Sequence, residues 1–173
     1  MIDQAKLADY LARRRAMQNL GMGFLGGVIG ALLGALLWGA ITALTSFQIG
    51  FMSIGVGFLV GFGIRILGHG MDRIFGYMGA VLALAGCVLG NILAAVIAAS
   101  VRDHIPFADI LARLTPDLAW RILTEGFNLI DLLFYGIAIY FGYHYSFQKI
   151  TPEELQALQA AEPEPPPAAA APL

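Results

Sequence analysis

Residues 16–64 contain no charged side chain, a run of 49 residues that an ordinary soluble domain, about 25% charged, does not accommodate. Two further charge-free runs cover residues 74–101 and 132–148, so that only 13% of the chain is charged while 58% is hydrophobic. A helix needs about 20 apolar residues to cross the hydrocarbon core, and the first run is more than twice that length. It must hold two helices. Thr45, Ser46 and Gln48, with Gly50 close behind, supply the turn between them. No block alternates with the period of two that a membrane β-strand requires. The expected fold is an all-α membrane protein with four transmembrane helices, near residues 20–45, 49–67, 74–100 and 127–148. Residues 1–19, ahead of this 20–148 domain, predict a cytoplasmic amphipathic helix, and residues 149–173 a cytoplasmic short helix followed by a flexible Pro/Ala-rich tail.

Basic residues resist translocation, so their distribution orients the spans. Lys6, Arg13, Arg14 and Arg15 precede the first span, Arg65 and Arg73 flank the link between the second and third, and Lys149 follows the fourth. With both termini cytoplasmic these seven lie inside, and Arg102, Arg113 and Arg121 lie outside. The first apolar run exceeds the roughly 7–15 residues of a signal-peptide core, so it reads as a retained span.

The loop 101–126 carries two helix signatures. Phe107, Ile110, Leu111 and Leu114 fall at helical spacing opposite Asp109 and Arg113. Thr115, Pro116 and Asp117 then supply an N-cap, a proline at the first helical position and an acid in the first turn. The expectation is an amphipathic helical loop whose second helix runs, kinked at Gly126, into span four, with Trp120 at the membrane interface. Thr151-Pro152-Glu153-Glu154 repeats the start signal after Lys149.

Gly26, Gly30 and Gly34 recur every four residues in the first span, Gly57 and Gly61 do so in the second, and Gly86 and Gly90 in the third. Small residues on one face let backbones approach in lipid, where no hydrophobic force drives helices together. This glycine-zipper spacing predicts tight packing among spans one to three. Ionisable and amide side chains inside a membrane are costly and mark functional candidates. Asn91, Asn128, Asp131 and Tyr135 fall in the outer halves of spans three and four, a candidate intramembrane polar cluster joined as a helix clasp or serving an ion or proton. Arg65 reads as snorkelling, His69 and Asp72 as loop residues, and His144 as part of an aromatic belt with Tyr140, Tyr143 and Tyr145.

No nucleophile, metal-ligand or cofactor pattern is present, so neither an enzyme nor a cofactor or metal site is expected. Cys87 reads as a packed thiol, and the net charge of -2 gives no footprint for nucleic acid. Residues 54–65, with Gly55, Gly57, Gly61 and Gly63 ahead of Arg65, followed by Gly86-Cys87-Val88-Leu89-Gly90-Asn91, resemble a pattern in uncharacterised small multi-pass proteins of the bacterial inner membrane. That resemblance implies an inner-membrane setting and no site residue. The function expected is a non-enzymatic structural or accessory subunit in the lipid bilayer, assembled as a homo-oligomer or with a membrane-protein partner. The alternative is a small channel or transporter component with a polar site around Asp131.

Overall fold

The computed structural model describes residues 4–45, 50–125 and 129–160, and all their regular structure is helical. In chain order the elements are α1 (Gln4–Ala16), α2 (Leu20–Thr45), α3 (Met52–Gly68), α4 (Arg73–Asp103), α5 (Phe107–Ala112), α6 (Pro116–Glu125), α7 (Leu129–Tyr145) and α8 (Pro152–Ala160). They fall into two compact units, one of residues 18–148 and one holding α1 and α8. α2 and α4, of 26 and 31 residues, are long and apolar enough to cross a membrane. α6 and α7 reach that length only together, as a sharply bent pair, and α3 is a shorter apolar helix. Two of the four expected spans are thus plain in the structure, and a third depends on counting the bent pair as one. α6 and α7 are bent by 107° relative to each other, and Gly126, where the kink is expected, lies outside the described residues.

The larger unit is built around the α3–α4 pair, with α2 packed against both on one side and α7 against both on the other. α2 reverses the usual size rule. The buried positions of α2 are glycine, alanine and Thr42 apart from the one large residue Trp38, while Phe24, Leu25, Ile29, Leu32, Leu36 and Leu37 are exposed. Water would penalise that arrangement, since burying large apolar groups is what stabilises a soluble core. Lipid does not, and there close backbone approach supplies the packing energy.

The glycines show how close that approach is. A Cβ added to Gly26 would run into the Gly63 carbonyl, and one on Gly30 would lie 2.5 Å from the Leu59 oxygen. Gly34 meets Val56, and Gly86 and Gly90 meet Ala31 and Trp38. The expectation that Gly57 and Gly61 join spans one to three is corrected here. Both turn to α7, Gly57 against the Ala138 backbone and Gly61 against Tyr145, while α3 presents Val56, Val60 and Gly63 to α2. α4 and α7 meet through Gly79 and Gly142, a pair that the four-residue spacing did not reveal.

At the Gly68 end, hydrogen bonds tie the chain together. Gln18 Oε1 accepts from the Met71 and Asp72 amides at 2.8 and 3.0 Å, and its Nε2 donates to Asp72. The Asn19 amide donates to the Gly68 carbonyl and the Gln148 amide to that of Gly70. His69 ends α3 in the left-handed region at φ 49°. At the opposite end, α5 covers only six residues; Phe107 and Leu111 of its apolar stripe are exposed and Leu114 lies beyond it. α6 starts at Pro116, where the Leu118 amide donates to Thr115 Oγ1 at 3.2 Å.

In the smaller unit, Thr151 and Glu154 form a reciprocal cap on α8: the Glu154 amide donates to Thr151 Oγ1, and Glu154 Oε2 accepts from the Thr151 amide. Arg14 of α1 donates to Glu154 and to the Tyr10 hydroxyl. The Thr151 amide, aided by the Arg14 charge, holds the Glu154 carboxyl below its ordinary range.

Candidate functional site

The buried polar side chains of the larger unit are Thr42, Ser53, Asn91 and Ser146 among the described residues. Asn91 of α4 is 4% exposed, and its Nδ2 donates to the Tyr135 hydroxyl of α7 at 3.2 Å. One turn away on α4, Cys87 is fully buried with Sγ 3.7 Å from the Ser53 carbonyl of α3. The thiol is packed and weakly bonded.

Three members of the four-residue cluster lie within the described residues. Asn91 and Tyr135 pair, but Asp131 Oδ1 sits against Gly50, where a Cβ would come within 3.0 Å of it. That places the carboxylate at the head of α3, whose N-cap Phe51 provides no side-chain cap. A helix N-terminus carries unsatisfied amides and partial positive charge, which favour an anion. Asn128 lies outside the described residues.

Three further buried polar atoms escaped the sequence reading. Trp38 Nε1, Thr42 Oγ1 and Ser53 Oγ have no hydrogen-bond partner among the described residues, in side chains 2%, 3% and 0% exposed. A signal was present in the sequence, because Trp38 and Thr42 continue the four-residue register of Gly26, Gly30 and Gly34. Trp38 packs on Gly90, next to Asn91. Thr42, one turn on, borders a cleft of about 720 Å³ between α2, α4 and α6. Ala95, Ala98 and Ala99 form its α4 wall, with Arg102, Ile122 and Glu125 toward the rim. The rim charges are paired locally, Arg102 with Asp103 at 2.8 Å and Glu125 with Arg121 at 3.1 Å.

At the other end, His144 stacks on Tyr140 with ring centroids 5.3 Å apart, and Tyr143 meets Tyr77 and Phe147 edge-on. Among the described residues no three His, Cys, Asp or Glu side chains are placed to hold a metal ion. Comparison with protein-family models, curated proteins and solved structures found no match. The fold defines a helical protein with two, and up to three, segments built to cross a membrane.

Proposed function

We propose that the chain is a four-span protein of a bacterial inner membrane, with both termini cytoplasmic, that serves as a non-enzymatic structural or accessory subunit. The reading is carried by the backbone-close seams of α2 on α3, α3 on α7 and α4 on α7. They draw the helices around a filled axis of Val56, Val60, Ile64, Ala83, Cys87 and Ala138. Such a core suits a rigid scaffold. α3 and α7, of 17 residues each, rise about 26 Å at 1.5 Å per residue, against a hydrocarbon core of about 30 Å. That is the short end of the spanning range, within reach of local bilayer thinning. The exposed apolar ridges of α2 and α7, among them Leu36, Leu129 and Leu133, then face lipid, a second copy or a membrane-protein partner.

Native mass measurement after extraction in a mild detergent tests the reading. A discrete assembly heavier than the 18.5 kDa chain supports it, and a uniform monomer overturns it. Liposomes carrying the purified protein should leak ions no faster than empty ones. The second reading, a channel or transporter component, is favoured by the polar atoms around Trp38, Thr42 and Ser53. Ion flux abolished by Asp131→Asn would select it.

A further inference from the structure

Arg65 is the one cation on α3, three residues short of its end at Gly68, and its side chain is only partly exposed. Among the described residues it makes no hydrogen bond or ion pair. The sealed polar side-chain atoms without a partner belong to Trp38, Thr42 and Ser53, so the Arg65 nitrogens reach the surface. Asp72, the acid of the larger unit at this end, is bonded to Gln18. A guanidinium so placed is costly without a counter-ion, and its counter-ion must come from outside the chain. A row of rings lies inward of it. Phe58, Phe62 and Arg65 fall at i, i+4 and i+7, one face of α3. Phe58 stacks on Phe62 with centroids 5.7 Å apart and meets Tyr145 of α7 at 4.8 Å, and Tyr145 stacks on Phe141 at 5.5 Å. Phe58 and Phe62 remain 41% and 43% exposed. The row crosses between helices because α3 and α7 run parallel: Gly50 lies against Asp131, Gly57 against Ala138 and Gly61 against Tyr145. Arg65 stands toward their shared end, about 10 Å beyond Phe58 along the axis at roughly 1.5 Å per residue.

We propose that this face of α3 and α7 seats one anionic phospholipid, its phosphate bonded by Arg65 and an acyl chain laid along Phe62, Phe58 and Tyr145. Charge selects the head. The planar guanidinium offers its donors as a fork that matches two phosphate oxygens at once, and among the described residues no carboxylate occupies it. The rings select the rest of the molecule, because they present exposed apolar surface where a lipid tail lies and a water-soluble anion has nothing to place there. A basic group between spans at the cytoplasmic face is the setting in which anionic headgroups are held. The proposal rests on the reading of α3 and α7 as spans and gives that reading a specific lipid partner.

The full-length protein tests it, first by flotation after reconstitution into phosphatidylcholine vesicles, then by native mass measurement of the lipid retained from micelles holding equal dioleoylphosphatidylglycerol and dioleoylphosphatidylcholine. The parent should keep a single phosphatidylglycerol, about tenfold in preference to phosphatidylcholine, and Arg65→Gln should cut that preference to about twofold or less. Arg65→Lys keeps the charge without the fork and should fall between them. Arg113→Gln, at an exposed cation toward the opposite end, should leave the preference unchanged. Phe62→Ala should lower retention about threefold while the headgroup preference stays. Excess inorganic phosphate should not displace the lipid. An Arg65→Gln protein that melts like its parent and keeps the preference overturns the site, and an equal loss in Arg113→Gln overturns it in favour of diffuse attraction. If the glutamine variant does not fold, an Arg65→Lys protein as selective as the parent overturns the fork. Displacement by inorganic phosphate overturns the lipid as the source of the phosphate, and full retention in Phe62→Ala overturns the seat of the chain. Protein that fails to float overturns the membrane reading itself, whereas protein that floats without a headgroup preference overturns only this site.

Discussion

Alanine at Gly30 isolates the seam with the smallest possible perturbation, one methyl group. On the observed backbone the new Cβ would lie 2.5 Å from the Leu59 carbonyl oxygen and 2.9 Å from Val60 Cα. Both obstacles are main-chain atoms of α3, so no rotamer change relieves the contact and the helices must separate. Overpacking of this kind costs about 1–3 kcal/mol, and helix propensity returns about 0.5–1 kcal/mol when glycine becomes alanine. The net loss is about 0–2.5 kcal/mol, centred on about 1 kcal/mol, or roughly 2–4 °C in Tm at that centre for a chain of this size. Gly55 is the internal control. It lies on α3 with nothing within 4 Å of its Cβ position, so Gly55→Ala should keep or raise Tm. Thermal unfolding in one detergent, followed by circular dichroism, measures both. Equal shifts at the two positions would refute the seam, because they would mean that glycine acts only through helix propensity. A Gly30→Leu protein as stable as its parent would show that this face meets nothing at all.

Asp131→Asn should be tolerated and Asp131→Leu should lower Tm, because an amide can still accept hydrogen bonds whereas leucine leaves the partners of the carboxylate unmet at about 1–3 kcal/mol; a leucine variant with unchanged Tm and activity removes the clasp. Asp117→Cys should react with an impermeant reagent in intact cells and Glu153→Cys should not, the pattern that the seven-to-three distribution of basic residues requires. The reverse pattern overturns the orientation. The Glu154 carboxyl is held below its ordinary 4.5, first by the Thr151 amide and also by Arg14, so its contribution is complete above that value and is lost as pH falls through the lower folded one. Energy transfer between dyes at positions 6 and 158 should therefore hold steady as pH falls toward the ordinary 4.5 and decline only below it, while Glu154→Gln weakens it already at neutral pH. A signal that is flat through the acid range would show that Glu154 does not hold α8 to α1.

Charge-free length, glycine spacing and capping residues are local properties, and they made the helical class, the two long spans and the starts of α6 and α8 legible from the sequence. Thr115 and Thr151 cap where they do because their hydroxyls reach amides two or three residues away, whatever the rest of the chain does. The partner of each glycine is a different matter. α3 carries small residues around much of its circumference, so spacing marks a face without naming the helix opposite, and only the packed bundle sends Gly63 to α2 and Gly57 to α7. The contacts of the polar cluster were hidden for a related reason. Asp131 and Tyr135 lie one turn apart on α7, a rise of about 6 Å, which is enough for one to meet the head of α3 and the other Asn91. Trp38 and Thr42 look like ordinary membrane residues until the glycine register is carried two steps further, and the cleft beside Thr42 exists only where α2, α4 and α6 come together. The sequence alone determined that helices form and that at least two are long enough for lipid, since hydrogen bonding and hydropathy act along the chain. The tertiary structure alone decided which small faces meet and which buried polar atoms are left without a partner, because those depend on the angular position of every helix at once.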